Sequence, residues 1–288
     1  MILVFGESGQ LAQALRRSAE AGGLELLALG RAKADLSDPA ACARAIQHHR
    51  PAAVINAAAY TAVDRAESEP ELARRINTDA PAAMASAAAA LGVPMVQVST
   101  DYVFDGSGDA PFAPDHPPAP LNVYGRSKLA GEEAVREAGG PHAVLRTSWV
   151  FSAQGVNFVK TMLRLGGERA VLNVVADQIG GPTPAQALAD ACLTIARALR
   201  TRPELSGCYH FSGFPDVSWA GFAREIMHQA GLACEISDIS TADFPTPARR
   251  PANSRLDCSA TEQAFGLARP DWRAGLAGVL AELKGSRA

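Results

Sequence analysis

The chain has 288 residues, 48% of them hydrophobic and 20% charged, with a formal net charge of -3. That balance excludes a disordered chain and a nucleic-acid binder with a broad positive field, and the length allows roughly two domains whose cores need no metal or disulfide staple. The five cysteines (Cys42, Cys192, Cys208, Cys234 and Cys258) are an odd set without a C-x-x-C pair, which points to reduced thiols and a cytoplasmic protein.

The opening, MILVFGESGQ, lacks a basic leader and reads as a first strand over 2–5 running into a glycine-bearing turn. A helix over 10–21 follows, then a strand over 24–29, a helix over 39–49 and a strand over 53–56. One long helix is predicted over 70–91, with a strand over 93–98, a helix over 124–137 and a strand over 143–147. The Ala-rich stretch within 82–90 is too short to span a bilayer, so no membrane partner is expected. Beyond residue 152 the rhythm weakens into helices over 157–165, 184–200, 219–230 and 272–284, a strand over 171–174, and a Pro-rich loop over 244–254. Strands that are apolar without alternation are covered on both faces, so the fold class is α/β: a Rossmann-type doubly wound parallel sheet with a smaller, loop-rich α/β lobe. Residues 1–151 form the dinucleotide-binding domain and 152–288 mainly the substrate lobe, with a later return of the chain into the first domain left open. The six histidines include no H-E-x-x-H, and no metal site is expected.

Three places carry chemistry. The first is Gly6-Glu7-Ser8-Gly9-Gln10-Leu11-Ala12, between the first strand and the first helix. Gly6 permits the tight turn, Gly9 lets the backbone approach a pyrophosphate, and the free N–H groups at the helix start face the anion. The second strand ends in Gly30-Arg31 rather than in a carboxylate. Arg31 either pairs with a ribose 2'-phosphate, which favours NADPH over NADH, or is a solvated loop cation. Asp35-Leu36 either flank the adenine or, for Asp35, cap a turn. The third place is Tyr124 with Lys128, four residues apart on one helix face, where the ammonium is expected to lower the phenol pKa toward operating pH. Thr100, just past the fourth strand, is the candidate donor to a substrate carbonyl oxygen, with Ser99 as its rival.

Together these features resemble the extended short-chain dehydrogenase/reductase superfamily. More closely, GESGQLA, VINAAAYTAVDRAE, STDYVFDG, LNVYGRSKLAGE, RTSWVF, DQIGGPT, YHFSG and TPARRPANSRLD resemble the dTDP-4-dehydrorhamnose reductase family, in order along nearly the whole chain. The resemblance implies NADPH-dependent reduction (NADH being possible) of the 4-keto group of a dTDP-6-deoxy-L-hexulose. Tyr124 would be the proton donor, Lys128 the group that lowers its pKa and holds the nicotinamide ribose, and Thr100 the group that polarises the carbonyl. It places Gly9, Gln10 and Leu11 at the pyrophosphate, Asp35 and Leu36 near the adenine, and Ala58, Ala59 and Tyr60 on the cofactor side of the third strand. Val63, Asp101, Tyr102 and Trp149 would contact the dTDP-sugar, although Tyr102 and Trp149 also read as core aromatics. Arg249 and Arg250 either meet the diphosphate or sit in a solvated loop. Some members form magnesium-bridged dimers through an acid on the first helix; the place corresponds to Ala14 here, which makes Mg2+ doubtful and leaves a monomer or a homodimer. The chain also resembles the regulatory subunit of methionine adenosyltransferase, against which the intact Thr100, Tyr124 and Lys128 set argues. A dehydratase would need an acid after Asp101, where Tyr102 stands. A reductase of another dTDP-ketosugar is the remaining alternative.

Overall fold

Alternate side chains of the first strand leave it in opposite directions, and both directions are buried. The computed structural model describes residues 1–285. In it Ile2 and Val4 enter one apolar cluster, while Leu3 and Phe5 enter another. The first part of the chain runs β1 (Ile2–Phe5), α1 (Gln10–Ala21), β2 (Leu26–Leu29), α2 (Pro39–His49), β3 (Ala53–Asn56), α3 (Val63–Ala66), α4 (Pro70–Arg74), α5 (Ala80–Ala90), β4 (Met95–Thr100), α6 (Val123–Glu137) and β5 (His142–Thr147). It continues as β6 (Val150–Phe151), α7 (Phe158–Glu168), β7 (Val171–Val175), β8 (Ile179–Gly180), β9 (Thr183–Pro184), α8 (Ala185–Thr201), β10 (Gly207–His210), β11 (Val217–Ser218) and α9 (Trp219–Ala230). The last elements are β12 (Glu235–Ile239), β13 (Asn253–Ser254), α10 (Ser259–Phe265) and α11 (Trp272–Gly285).

Six strands form one parallel sheet in the order β2-β1-β3-β4-β5-β10. The chain leaves β1 toward β2 and returns on the other side to β3, so a crevice opens at the carboxyl ends of β1 and β3. Side chains of α1 and α8 cover one face of the sheet, and those of α2 and α5 cover the other. A separate core unites α7, α9 and α11 with the two-stranded β7-β12 sheet, around fully buried Phe222 and Trp272. Among the described residues no helix is long and apolar enough to cross a membrane.

Two local readings change. The helix expected over 70–91 is broken by a π-helical turn at Arg75–Asp79. The strand expected over 93–98 lies two residues later, so Thr100 is its final residue rather than the first beyond it. β10 was not foreseen as a strand. It pairs with β5 from Gly207↔Ala143 to His210↔Arg146 and brings the later chain back into the sheet.

Candidate active site

The crevice is a cleft of about 640 Å³. Its floor is the turn between β1 and α1. Gly6 has φ +115, a conformation that a side chain would strain. Gly9 is the N-cap of α1, uses no side-chain cap, and has open space where a Cβ would stand. No acidic residue occupies the first turn of α1, so the backbone N–H groups and the helix dipole are left for an anion. The Gln10 side chain looks the other way. Its Oε1 accepts from Ser152 Oγ at 3.0 Å and Asn157 Nδ2 at 2.8 Å, which ties the turn to the segment leading into α7.

At one end of the cleft the walls are Arg31, Asp35 and Leu36. The Arg31 side chain is 84% exposed and lies 3.9 Å from the Asp35 carboxylate. Asp35 also accepts from the Ser37 N–H at 2.9 Å, and that bond holds its carboxyl below the usual range. Asp35 therefore shapes a turn and also lines the cleft. Glu7 is a wall residue that the sequence reading passed over, and it leans on Gly30, where a Cβ would collide with its carboxylate.

The wall after β3 is Ala57, Ala58, Ala59 and Tyr60. Buried Asn77, carried on the π-helical turn, accepts from Tyr60 N at 2.8 Å and donates to Tyr60 O and to Ser127 Oγ, both at 3.0 Å. Gly131 lets α6 lie against the Asn77 carbonyl, where a Cβ would come within 2.0 Å. The wall and α6 are thus held in register by one amide.

α6 starts at Asn122, whose side chain accepts from Gly125 N at 2.8 Å. One turn apart on it, Tyr124 and Lys128 are 9% and 3% exposed, and both line the cleft. Lys128 Nζ donates to Val98 O at 2.6 Å. Burial pushes the ammonium down to about 8, against the pull of the Glu132 carboxylate. Glu132 is itself fully buried: it receives Ser99 Oγ at 2.5 Å and pairs with Arg146 at 2.7 Å. Ser99, the rival hydroxyl, is thereby committed to Glu132. The Tyr124 phenol does not behave as the spacing suggests. Burial pushes it up to about 12, a hydrogen bond with Thr100 acts the other way, and the Asp101 charge adds to the rise. No pull from Lys128 offsets the rise, and the phenol stays protonated at neutral pH, where it is a donor.

Thr100 is not part of the cleft wall; its Oγ1 donates to Asp101 Oδ1 at 3.0 Å and accepts from Tyr102 N at 3.2 Å. The residues expected at the sugar lie on this same flank. Val63 and Tyr102 pack around Tyr124, with the Tyr102 ring edge-on to it at 5.5 Å between centroids. Asp101 is 2% exposed. Trp149 has φ +50 and stacks on Trp219 with centroids 3.6 Å apart. Arg250 pairs with Asp64 at 2.8 Å, whereas Arg249 is exposed and offers its carbonyl to Asn122. Ala14 is buried in the core between α1 and α8. Among the described residues no group of three or more His, Cys, Asp or Glu is arranged to hold a metal. Thr147, Val150, Gly155, Val156 and Leu188 also line the cleft. RTSWVF contained the first two, but nothing in the sequence distinguished the others.

A family model described as "RmlD substrate binding domain" matches residues 1–284. The dTDP-4-dehydrorhamnose reductase of Sinorhizobium fredii is 47% identical over 277 residues, covering 94% of this chain and 93% of that protein. Among solved structures, the dTDP-4-dehydrorhamnose reductase of Clostridium acetobutylicum is similar with a TM-score of 0.92 at 33% identity, over 98% of this chain and 99% of that one. The Bacillus anthracis dTDP-4-dehydrorhamnose reductase, solved in complex with NADP, has a TM-score of 0.90 at 35% identity, over 98% of each chain.

Proposed function

The chain belongs to the dTDP-4-dehydrorhamnose reductase family, and from that premise we propose that it reduces the 4-keto group of dTDP-4-dehydro-6-deoxy-L-mannose to give dTDP-L-rhamnose, with NADPH as the reductant. The observation that carries the reading is that buried, protonated Tyr124 stands in the wall of the same cleft whose floor is the uncapped start of α1. The turn fits a dinucleotide: Gly6 and Gly9 leave room for the pyrophosphate, with the backbone of Gln10 and Leu11 beside it. Arg31 supports NADPH as the guanidinium at the adenosine end, with Asp35 and Leu36 flanking the base and Ala58, Ala59 and Tyr60 closing the opposite wall. The bound cofactor supplies a hydride.

The protein supplies the proton and the field. As negative charge develops on the carbonyl oxygen, Tyr124 gives its proton to it. Lys128 is buried one turn away and stabilises the phenolate that remains. Thr100, the last residue of β4, lowers the phenol pKa against the effect of burial. Val63, Asp101, Tyr102 and Trp149 cluster on the flank beyond Tyr124 and are proposed to shape the sugar-nucleotide site. Buried Ala14 at the first-helix position speaks for a monomer, or for a homodimer that magnesium does not bridge, and the unpaired cysteines for a cytoplasmic enzyme. Purified protein given dTDP-4-dehydro-6-deoxy-L-mannose is expected to oxidise one NADPH per sugar and to yield dTDP-L-rhamnose by NMR. Absence of NADPH consumption with fresh substrate would overturn the proposal.

A further inference from the structure

Hydroxyls gather at the carboxyl ends of β4 and β5, and most of them are engaged. Ser99 Oγ donates to Glu132 at 2.5 Å, Thr100 Oγ1 to Asp101 at 3.0 Å, and Ser148 Oγ to the Gly181 carbonyl at 2.9 Å. Thr147, the last residue of β5, differs from these neighbours. It is 6% exposed, and its Oγ1 is buried without a hydrogen-bond partner among the described residues. Of the buried side-chain atoms in that condition, it alone belongs to a residue that lines the cleft. A hydroxyl left unpaired in the interior costs stability, so its presence in a cleft wall points to a partner that the chain does not supply.

The surroundings describe that partner. Side chains alternate along β5: Leu145 joins the apolar cluster under α8, Arg146 turns to Glu132 on α6, and Thr147 returns to the side of Leu145. On that side Val98, Val150 and Leu188 also line the cleft, and all three pack into the same apolar cluster. One step of χ1 exchanges the methyl and the hydroxyl of a threonine, so either can face the cleft. The wall is thus an apolar shelf carrying one polar group. In the sheet β5 is the neighbour of β4 and lies three strands beyond β1, away from the β2 loop that holds Arg31 and Asp35. The shelf therefore belongs to the Tyr124 and Lys128 end.

We propose that Thr147 is a cofactor-binding residue whose hydroxyl takes the carboxamide of the nicotinamide ring, with Val98, Val150 and Leu188 as the apolar surface for the ring itself. This rests on the reductase reading above. Hydride has to reach the carbon whose oxygen Tyr124 protonates, which calls the reducing ring to this end of the cleft. That ring is flat and apolar apart from its carboxamide, which carries both donors and an acceptor. A hydroxyl also donates and accepts, so a hydrogen bond of either sense satisfies Thr147.

The test is calorimetric titration of Thr147→Val and Thr147→Ser with NADPH and with adenosine 2',5'-bisphosphate, which has the adenosine end and no nicotinamide. Thr147→Val keeps the branched shape and loses the hydroxyl. It is expected to weaken NADPH binding about three- to tenfold and to leave bisphosphate affinity within about twofold. Its Tm without cofactor is expected to equal or exceed that of wild type, because an unpaired hydroxyl has left the interior. Thr147→Ser, which keeps the hydroxyl, is expected to bind NADPH within about twofold of wild type. Unchanged NADPH affinity in Thr147→Val, an equal loss for the bisphosphate, or a Ser variant as weak as the Val variant overturns the proposal. So does a Thr147→Val protein that melts lower or does not fold, since the hydroxyl would then serve the fold. All of these are read without the sugar. Wild type that binds NADPH yet leaves dTDP-4-dehydro-6-deoxy-L-mannose unreduced would sink the reductase reading alone.

Discussion

The two ends of the cleft are built on opposite terms. At the Tyr124 end the polar groups are buried: Lys128 is 3% exposed, and Glu132 and Arg146 behind it are 0% and 2%. At the Arg31 end the guanidinium is 84% exposed and its carboxylate partner lies 3.9 Å away. The difference follows from the sheet. β4 and α6 close over the middle of the molecule, whereas β2 is an outer strand whose loop faces water. Burial makes each charge at the inner end depend on a specific partner, and it moves pKa values by whole units. Exposure at the outer end screens the same kinds of group, so they bias affinity and do little else. Under the proposed function, chemistry belongs at the inner end and cofactor choice at the outer.

Three substitutions probe that contrast. Tyr124→Phe removes the cleft phenol one turn from Lys128, and is expected to lower kcat by about 10²–10⁴-fold while NADPH binding, followed by fluorescence, is retained. A variant within tenfold of wild type would show that the inner end is not where the proton is moved. Glu132→Gln leaves Arg146 buried without its counter-charge and is expected to cost about 3–5 kcal/mol, seen as a Tm lower by on the order of ten degrees. An unchanged Tm would mean that the inner end tolerates unpaired charge as the outer end does. The smallest effect is expected at the exposed corner. Arg31→Ala should shrink the ratio of kcat/KM for NADPH over NADH by about three- to tenfold, with no change in Tm. A loss of the magnitude seen for Tyr124 would erase the distinction between the two ends.

The parts of this arrangement that were legible in the sequence are those written in short-range patterns. Apolar runs without alternation, such as Ile2 to Phe5, announce strands covered on both sides, and the structure buries all four of those residues. The glycine turn and the four-residue spacing of Tyr124 and Lys128 fix which groups share a wall. What escaped is set by distant partners. The π-helical turn at Arg75–Asp79 is invisible in a helical periodicity, because its cause is the bonds from Asn77 to Tyr60 and Ser127 on other elements. Gly155 and Val156 line the cleft only because the segment before α7 folds back over the α1 turn. The sign of the Tyr124 shift was missed for the same reason. Spacing placed the ammonium on the right face, but burial, which no spacing reveals, dominates how each group titrates.

Gly207–His210 also escaped, since Gly-Cys-Tyr-His has no β-branched residue and becomes a strand only by pairing with β5. Its place in the sheet limits how this molecule can be divided. A fragment ending at residue 151 would lose the α8 side chains that seal one face of the sheet and leave β5 as a bare, sticky edge. A cut after residue 151 would therefore leave an aggregation-prone first piece, and any graft of a foreign later segment onto this sheet must keep residues 185–210 with the host.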